Sequence, residues 1–196
     1  TGKVNIFIDS YEPTVTFTNP NPTKLKVEAS DGTVGSGLAS IVLYNNDEEK
    51  ETTTSATKEF DISGSSIIKA GRNELKVVVT DVAGNSKTSE SIVITNTKPS
   101  LTVTSSIAEN NKKDGYLYSN GDITVTLKVQ DENQLTSLVW TDTSAGEGSV
   151  VVTNNASEQS VTDSITKAST NTSGAKREYT ATNVYGLTTS VDFKYI

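Results

Sequence analysis

The sequence predicts an all-β protein made of two tandem β-sandwich modules, and three observations carry that prediction. Apolar residues alternate with polar ones in short runs throughout, the period of a half-buried strand. The chain repeats itself: Ile8-Asp9-Ser10-Tyr11-Glu12-Pro13-Thr14-Val15 is echoed by Ile94-Thr95-Asn96-Thr97-Lys98-Pro99-Ser100-Leu101, so that Pro13 falls on Pro99, Val15 on Leu101 and Phe17 on Val103. Such a period marks two copies of one folding unit. Thr, Ser, Asn and Val dominate and aromatic residues make up only 6%, a blend suited to exposed strands and polar turns.

In chain order, the first module reads as strands at Val15-Thr16-Phe17, Leu25-Lys26-Val27-Glu28-Ala29, Ile41-Val42-Leu43-Tyr44, Leu75-Lys76-Val77-Val78-Val79 and Ile92-Val93-Ile94. The second reads as strands at Leu101-Thr102-Val103, 123–129, Leu138-Val139-Trp140, Val150-Val151-Val152, Tyr179-Thr180-Ala181 and Val191-Asp192-Phe193-Lys194-Tyr195. Asp81-Val82-Ala83-Gly84-Asn85 is a hairpin: Asp81 can accept a hydrogen bond from backbone two residues on, and Gly84 supplies a positive φ. Asn183-Val184-Tyr185-Gly186 repeats the design. The Gly-rich loop Asp31–Leu38 is a turn, because it has no phosphate-loop lysine and no helix after it. Asp47-Glu48-Glu49 reads as a solvated turn.

The boundaries expected are residues 1–97 and 98–196, with residues 1–8 either the remnant of a preceding module or a first strand packed on module one. Module two carries an insertion at 107–122, whose Gly115-Tyr116-Leu117-Tyr118 is the right length for a short extra strand. Loops on a rigid sandwich are where binding concentrates, so this insertion is the expected specialised surface.

Composition excludes several chemistries. The chain has no Cys, His or Met and a formal charge of −7. Without His and Cys there is no ordinary neutral-pH base, thiolate nucleophile or zinc site. The acidic balance argues against nucleic-acid backbone binding, and no apolar run approaches the roughly 20 residues that span a bilayer. Cofactors and metals are expected to be none.

The stretches Ser36-Gly37-Leu38-Ala39-Ser40-Ile41-Val42-Leu43, preceded by Asp31, and Gly71-Arg72-Asn73-Glu74-Leu75 through Thr80-Asp81-Val82-Ala83-Gly84-Asn85 resemble bacterial immunoglobulin-like (Big-type) repeats. That family has an S-G-apolar approach to its third strand and a D-x-A-G-N hairpin near its end. It also has a short linker closing on Pro, here Asn96-Thr97-Lys98-Pro99. The likeness spans all of module one. Module two fits by register and spacing but has Asn183-Val184-Tyr185-Gly186-Leu187 in place of the hairpin signature. The resemblance implies two tandem immunoglobulin-like β-sandwich domains acting as a non-catalytic stalk, spacer or adhesive region of a secreted, cell-surface or wall-anchored bacterial protein. It implies a monomer within a longer multidomain chain and a host protein or glycan as partner. The alternative is a carbohydrate- or host-protein-binding accessory module of a larger extracellular enzyme.

Within this frame, the residues singled out for ligand contact are Tyr116, Tyr118 and Tyr185, all in loops, where tyrosines either recognise partners or cover a core edge. Trp140 aligns with the inward Leu43 and reads as core, with a sugar-stacking platform as the competing role. Calcium held by Asp31, Asp81 and Glu12 is chemically allowed, though the dense Asp-x-Asp spacing of a dedicated calcium loop is missing. No carboxylate pair or Ser-Lys motif marks a catalytic site. A Lys–Asn isopeptide bond from Lys26 or Lys128 to Asn183 is disfavoured, because both lysines are out of phase with the core positions beside them.

Overall fold

The structure, a computed structural model, describes residues 8–64, 66–152, 158–166 and 174–196. The segment 1–7, on which the reading of the chain's first strand depends, lies outside the described residues. The chain divides into two compact units, Thr1–Asn96 and Thr97–Ile196.

In the first unit, strands β1 (Thr14–Asn21), β2 (Lys24–Ser30) and β5 (Thr57–Asp61) form one sheet, in the order β1-β2-β5. The other sheet contains β4 (Glu48–Thr53), β3 (Leu38–Asn45), β6 (Gly71–Asp81) and β7 (Ser86–Thr88), in that order, with β8 (Ile92–Asn96) also paired to β6. Every pairing is antiparallel. Alternation decides which residues meet. Leu25, Val27 and Phe60 from one sheet and Ile41, Leu43, Leu75, Val77 and Val79 from the other are all fully buried. Each such side chain contributes about 1.5–3 kcal/mol by leaving water. Three strands facing four, with the last strand interrupted between β7 and β8, is the immunoglobulin-like sandwich arrangement. At the interruption Ser89 keeps the ladder satisfied: its N–H donates to the Val77 carbonyl (2.9 Å) and its hydroxyl accepts from the Val77 N–H (3.1 Å).

Glu48 and Glu49, expected in a turn, begin the edge strand β4. The turn is Asn46-Asp47, at φ of 50° and 64°, the two-residue hairpin geometry that fits strand twist. The many charges of β4 suit an edge, where they oppose pairing with another chain.

The second unit repeats the plan. One sheet is β9 (Ser100–Ser105), β12 (Ile123–Gln130) and β15 (Glu158–Ile165), with β12 in the middle. The other contains β14 (Gly146–Val150), β13 (Leu135–Asp142), β16 (Ala175–Asn183) and β17 (Thr188–Tyr195), in that order. Burial in β16 alternates strictly along its length, with Ala175, Arg177, Tyr179, Ala181 and Asn183 facing in. The expected strand at Val150–Val152 instead ends at Val150, and Val151 is exposed.

The insertion folds as a 3-10 turn (Glu109–Asn111) followed by a hairpin of β10 (Lys112–Lys113) and β11 (Tyr116–Leu117). This realises the extra strand expected at 115–118. β11 joins β17 in parallel, Leu117 opposite Tyr195. The Ile196 N–H donates to the Leu117 carbonyl (2.9 Å), and the Ser119 N–H donates to the Ile196 carbonyl (3.1 Å). Leu117 is buried in the core of the unit.

Within each unit the chain comes in at one end and leaves at the other. Asp9, ahead of β1, lies beside Asp81 at the end of β6, whereas Asn96 pairs with Gly71 at the start of β6. Eleven residues of strand separate these ends, about 33 Å at the usual rise. In the second unit Thr97 is bonded to Asn183 at the end of β16, and Tyr195 pairs with Ala175 at its start.

Candidate functional site

The loops at the incoming end of the first unit gather three carboxylates. Asp9, Asp31 and Asp81 each place an oxygen within 4.8 Å of the others. Asp31 and Asp81 come together as the sequence suggested, but the third member is Asp9. Glu12 instead pairs with Lys87 (3.0 Å). The backbone N–H of Tyr11 (3.0 Å) and that of Ser36 (2.6 Å) hydrogen-bond the Asp9 carboxylate and hold its pKa below the ordinary value. Asp31 Oδ2 accepts from the Gly37 N–H (2.6 Å), while Asp31 Oδ1 is buried without a hydrogen bond. Asp81 accepts from the Asn85 N–H and from Asn85 Nδ2, both at 2.8 Å. The hairpin is therefore closed by a bond four residues on, not the two expected; Gly84 does take the positive φ, at 97°. Among the described residues this is the group whose oxygen chemistry suits a hard divalent cation, although N–H donors already occupy much of its acceptor capacity.

The second unit solves the same corner with one carboxylate, Asp131, and an amide. Asn183 stands where Asp81 does. Its Nδ2 donates to the Thr97 carbonyl (2.9 Å) and to Asp131 Oδ2 (3.3 Å), and its Oδ1 accepts from Tyr185 N–H (3.1 Å) and Leu187 N–H (2.9 Å). An amide both donates and accepts, so it can link a buried carboxylate to a carbonyl where a second carboxylate could not.

A buried ionic network, which sequence reasoning missed, ties the two sheets of the second unit. Arg177 is 3% exposed. Its Nε donates to Asp142 Oδ2 (2.7 Å) on adjacent β13, and its Nη1 donates to Asp163 Oδ2 (2.8 Å) on β15 of the facing sheet. Tyr179 and Tyr195 donate their hydroxyls to Asp163 (2.8 Å) and Asp142 (2.7 Å). Burial, together with those carboxylate partners, pushes both phenols up. Trp140 lies half-buried against the core, its ring 3.9 Å from the Arg177 guanidinium carbon. Its inward direction matches the core expectation, and the face turned to Arg177 is engaged in a cation–π contact. The sequence signal was there: Arg177 occupies the same phase as Ala175, Tyr179 and Ala181.

The three tyrosines chosen from sequence end up in different surroundings. Tyr118 is 41% exposed and lines a concavity of about 650 Å³ with Asn110, Asn111, Lys112, Lys113 and Asn120. Tyr116 is half-buried, with Lys194 Nζ 5.9 Å from its ring centroid and Gly174 so close that a Cβ there would sit 2.6 Å from the ring. Tyr185 is 5% exposed and has little surface to offer a ligand: its backbone is held by Asn183, and burial followed by the nearby Asp131 charge pushes its hydroxyl up. Lys26 and Lys128 both lie outward, in ion pairs with Glu28 (2.6 Å) and Glu158 (3.0 Å), as their phase required.

No family model matches the chain, and no curated protein matches it. Among solved structures it is similar to the fibronectin(III)-like modules of Clostridium thermocellum CbhA, at 16% identity over 93% of each chain and a TM-score of 0.33. It is also similar to the chitinase ChiA74 from Bacillus thuringiensis, at 10% identity, with 98% of this chain aligned to 28% of the chitinase and a TM-score of 0.32.

Proposed function

We propose that the chain is a non-catalytic pair of immunoglobulin-like modules serving as a spacer in a bacterial extracellular or cell-surface protein, of the immunoglobulin-like repeat type that its Asp81–Asn85 hairpin resembles. The observation that carries this reading is the placement of incoming and outgoing chain at opposite ends of each unit. Modules wired in this way add length when strung in series. Only Thr97-Lys98-Pro99 separates β8 from β9, a connection too short for a coil-like linker. Force applied along the chain then runs parallel to the strands and loads their hydrogen-bond ladders in shear.

Single-molecule pulling on the whole chain tests this. Stretching Thr14–Asn96 to full extension, less its folded span, releases about 260 Å, and Ser100–Tyr195 releases about 310 Å. Two separate force peaks with those increments are expected. Extension of either unit without a resolvable peak would overturn the spacer reading.

A further inference from the structure

The strongest unassigned feature is the concavity beside the β10–β11 hairpin. The fold does not require it: the first unit joins β1 to β2 through Pro22-Thr23 alone, while the second takes residues 106–122 for the corresponding step. The walls are nevertheless fixed. The Asn111 N–H donates to the Ala108 carbonyl (2.9 Å), and the Tyr118 N–H donates to the Asn111 carbonyl (3.0 Å). The Ser119 hydroxyl donates to the Gly121 carbonyl (2.8 Å) and accepts from the Gly121 N–H (3.2 Å). Buried Leu117 and the pairing of β11 with β17 anchor the hairpin to the sandwich. The concavity, about 650 Å³, is broad and open to solvent, so it would hold a ligand against its wall and not enclose it.

The chemistry of the walls selects the ligand. Asn110, Asn111 and Asn120 each offer amide donors beside an acceptor, the pairing that sugar hydroxyls need because each both donates and accepts. Tyr118 presents an exposed aromatic face on which the C–H face of a pyranose can lie. Lys112 and Lys113 also line the concavity, and among the described residues that line it none is acidic. A lysine at the exposed position 113 in this wall favours an anionic ligand over a cationic one.

We propose that the concavity beside Tyr118 binds an acidic oligosaccharide, one pyranose ring resting on Tyr118 and a carboxylate directed to Lys113. This goes beyond the spacer role and does not depend on it.

Isothermal titration calorimetry of the whole chain with hexagalacturonate and, separately, neutral cellohexaose tests the proposal. EDTA is included so that no cation can bridge uronate to the Asp9-Asp31-Asp81 group. Hexagalacturonate is expected to bind more tightly than cellohexaose, and to weaken when sodium chloride rises from about 0.05 to 0.5 M. Tyr118→Ala and Lys113→Glu, both at exposed positions, are each expected to weaken binding at least about fivefold with unchanged thermal unfolding. Tyr11→Ala in the first unit should change nothing. No heat with hexagalacturonate, equal affinity for cellohexaose, or full binding by both variants would overturn the proposal. So would stronger binding of a single-stranded oligonucleotide, which would make the concavity a phosphate site.

Discussion

Replacing Arg177 by Met is the sharpest perturbation the second unit offers. The side chain is 3% exposed and makes charge-assisted bonds to two carboxylates on opposite sheets, at 2.7 and 2.8 Å. Breaking a buried ion pair by removing one partner costs about 3–5 kcal/mol, because the stranded charge loses its compensation. Two features of the site reduce that figure. Asp142 keeps three donors, from Ser144 N–H, Ser144 Oγ and Tyr195 OH. Asp163 keeps the Tyr179 hydroxyl, and its side chain is 15% exposed. Against this, the contact with Trp140 is lost, worth about 1 kcal/mol. The expected net loss is about 3 kcal/mol, a large part of what a domain of this size has. Trp140 is the chain's only tryptophan and lies in this network, so its fluorescence reports the unfolding of this unit without interference from the other. In urea the midpoint should fall by about 2 M at unchanged slope. Arg177→Met combined with Asp142→Asn and Asp163→Asn should recover much of the loss, since no charge is then stranded. A shift below about 0.3 M for the single variant would refute the reasoning, because the network would then contribute nothing net.

The same network predicts acid sensitivity. Burial raises the Asp142 pKa, but hydrogen bonds from the Ser144 N–H, the Tyr195 hydroxyl and Arg177 outweigh it and leave the pKa below the ordinary 3.8. A depressed carboxylate contributes its full stability above that ordinary value and loses it as pH falls through the folded-state value. Trp140-monitored stability should therefore drop below pH 3.8, and this component should be absent in Asp142→Asn. At the three-carboxylate corner, Asp81→Asn copies the solution seen at Asn183 and removes one of three converging charges. In EDTA it should stabilise the first unit by about 1 kcal/mol, measured by calorimetry; destabilisation there would show that the Asp81 charge is needed for the hairpin itself.

Legibility in the sequence tracked how local the physics was. Strands such as Leu75–Val79 and 123–129 were legible because their alternation records one wet and one buried face. Gly84 and Gly186 were legible because a positive φ is a local demand, met at 97° and 85°. Edge strands β4 and β14 were obscured, since an edge tolerates charge and glycine and carries little apolar signal. The tyrosines show the other limit. Tyr116, Tyr118 and Tyr185 look alike as loop residues, and only the three-dimensional path of the chain leaves Tyr118 open while burying Tyr185. The acidic corner was half legible: Asp31 and Asp81 stand in loops that face one end of the sandwich, but Asp9 lies in the repeated lead-in opposite uncharged Thr95, so the repeat gave no sign of a third carboxylate.

The clasp between β11 and β17 has a consequence for the order of folding. Leu117 and Tyr195 are nearly a whole module apart in sequence, and they pair in parallel, a contact that forms only after a long loop has closed. β17 is the final strand, so the hairpin has no edge to join until the rest of the sandwich exists. During synthesis the β10–β11 hairpin stays without its β17 partner until the last residues of its own module arrive. The anchoring of the walls around Tyr118 to the sandwich therefore depends on the last strand of the module being in place.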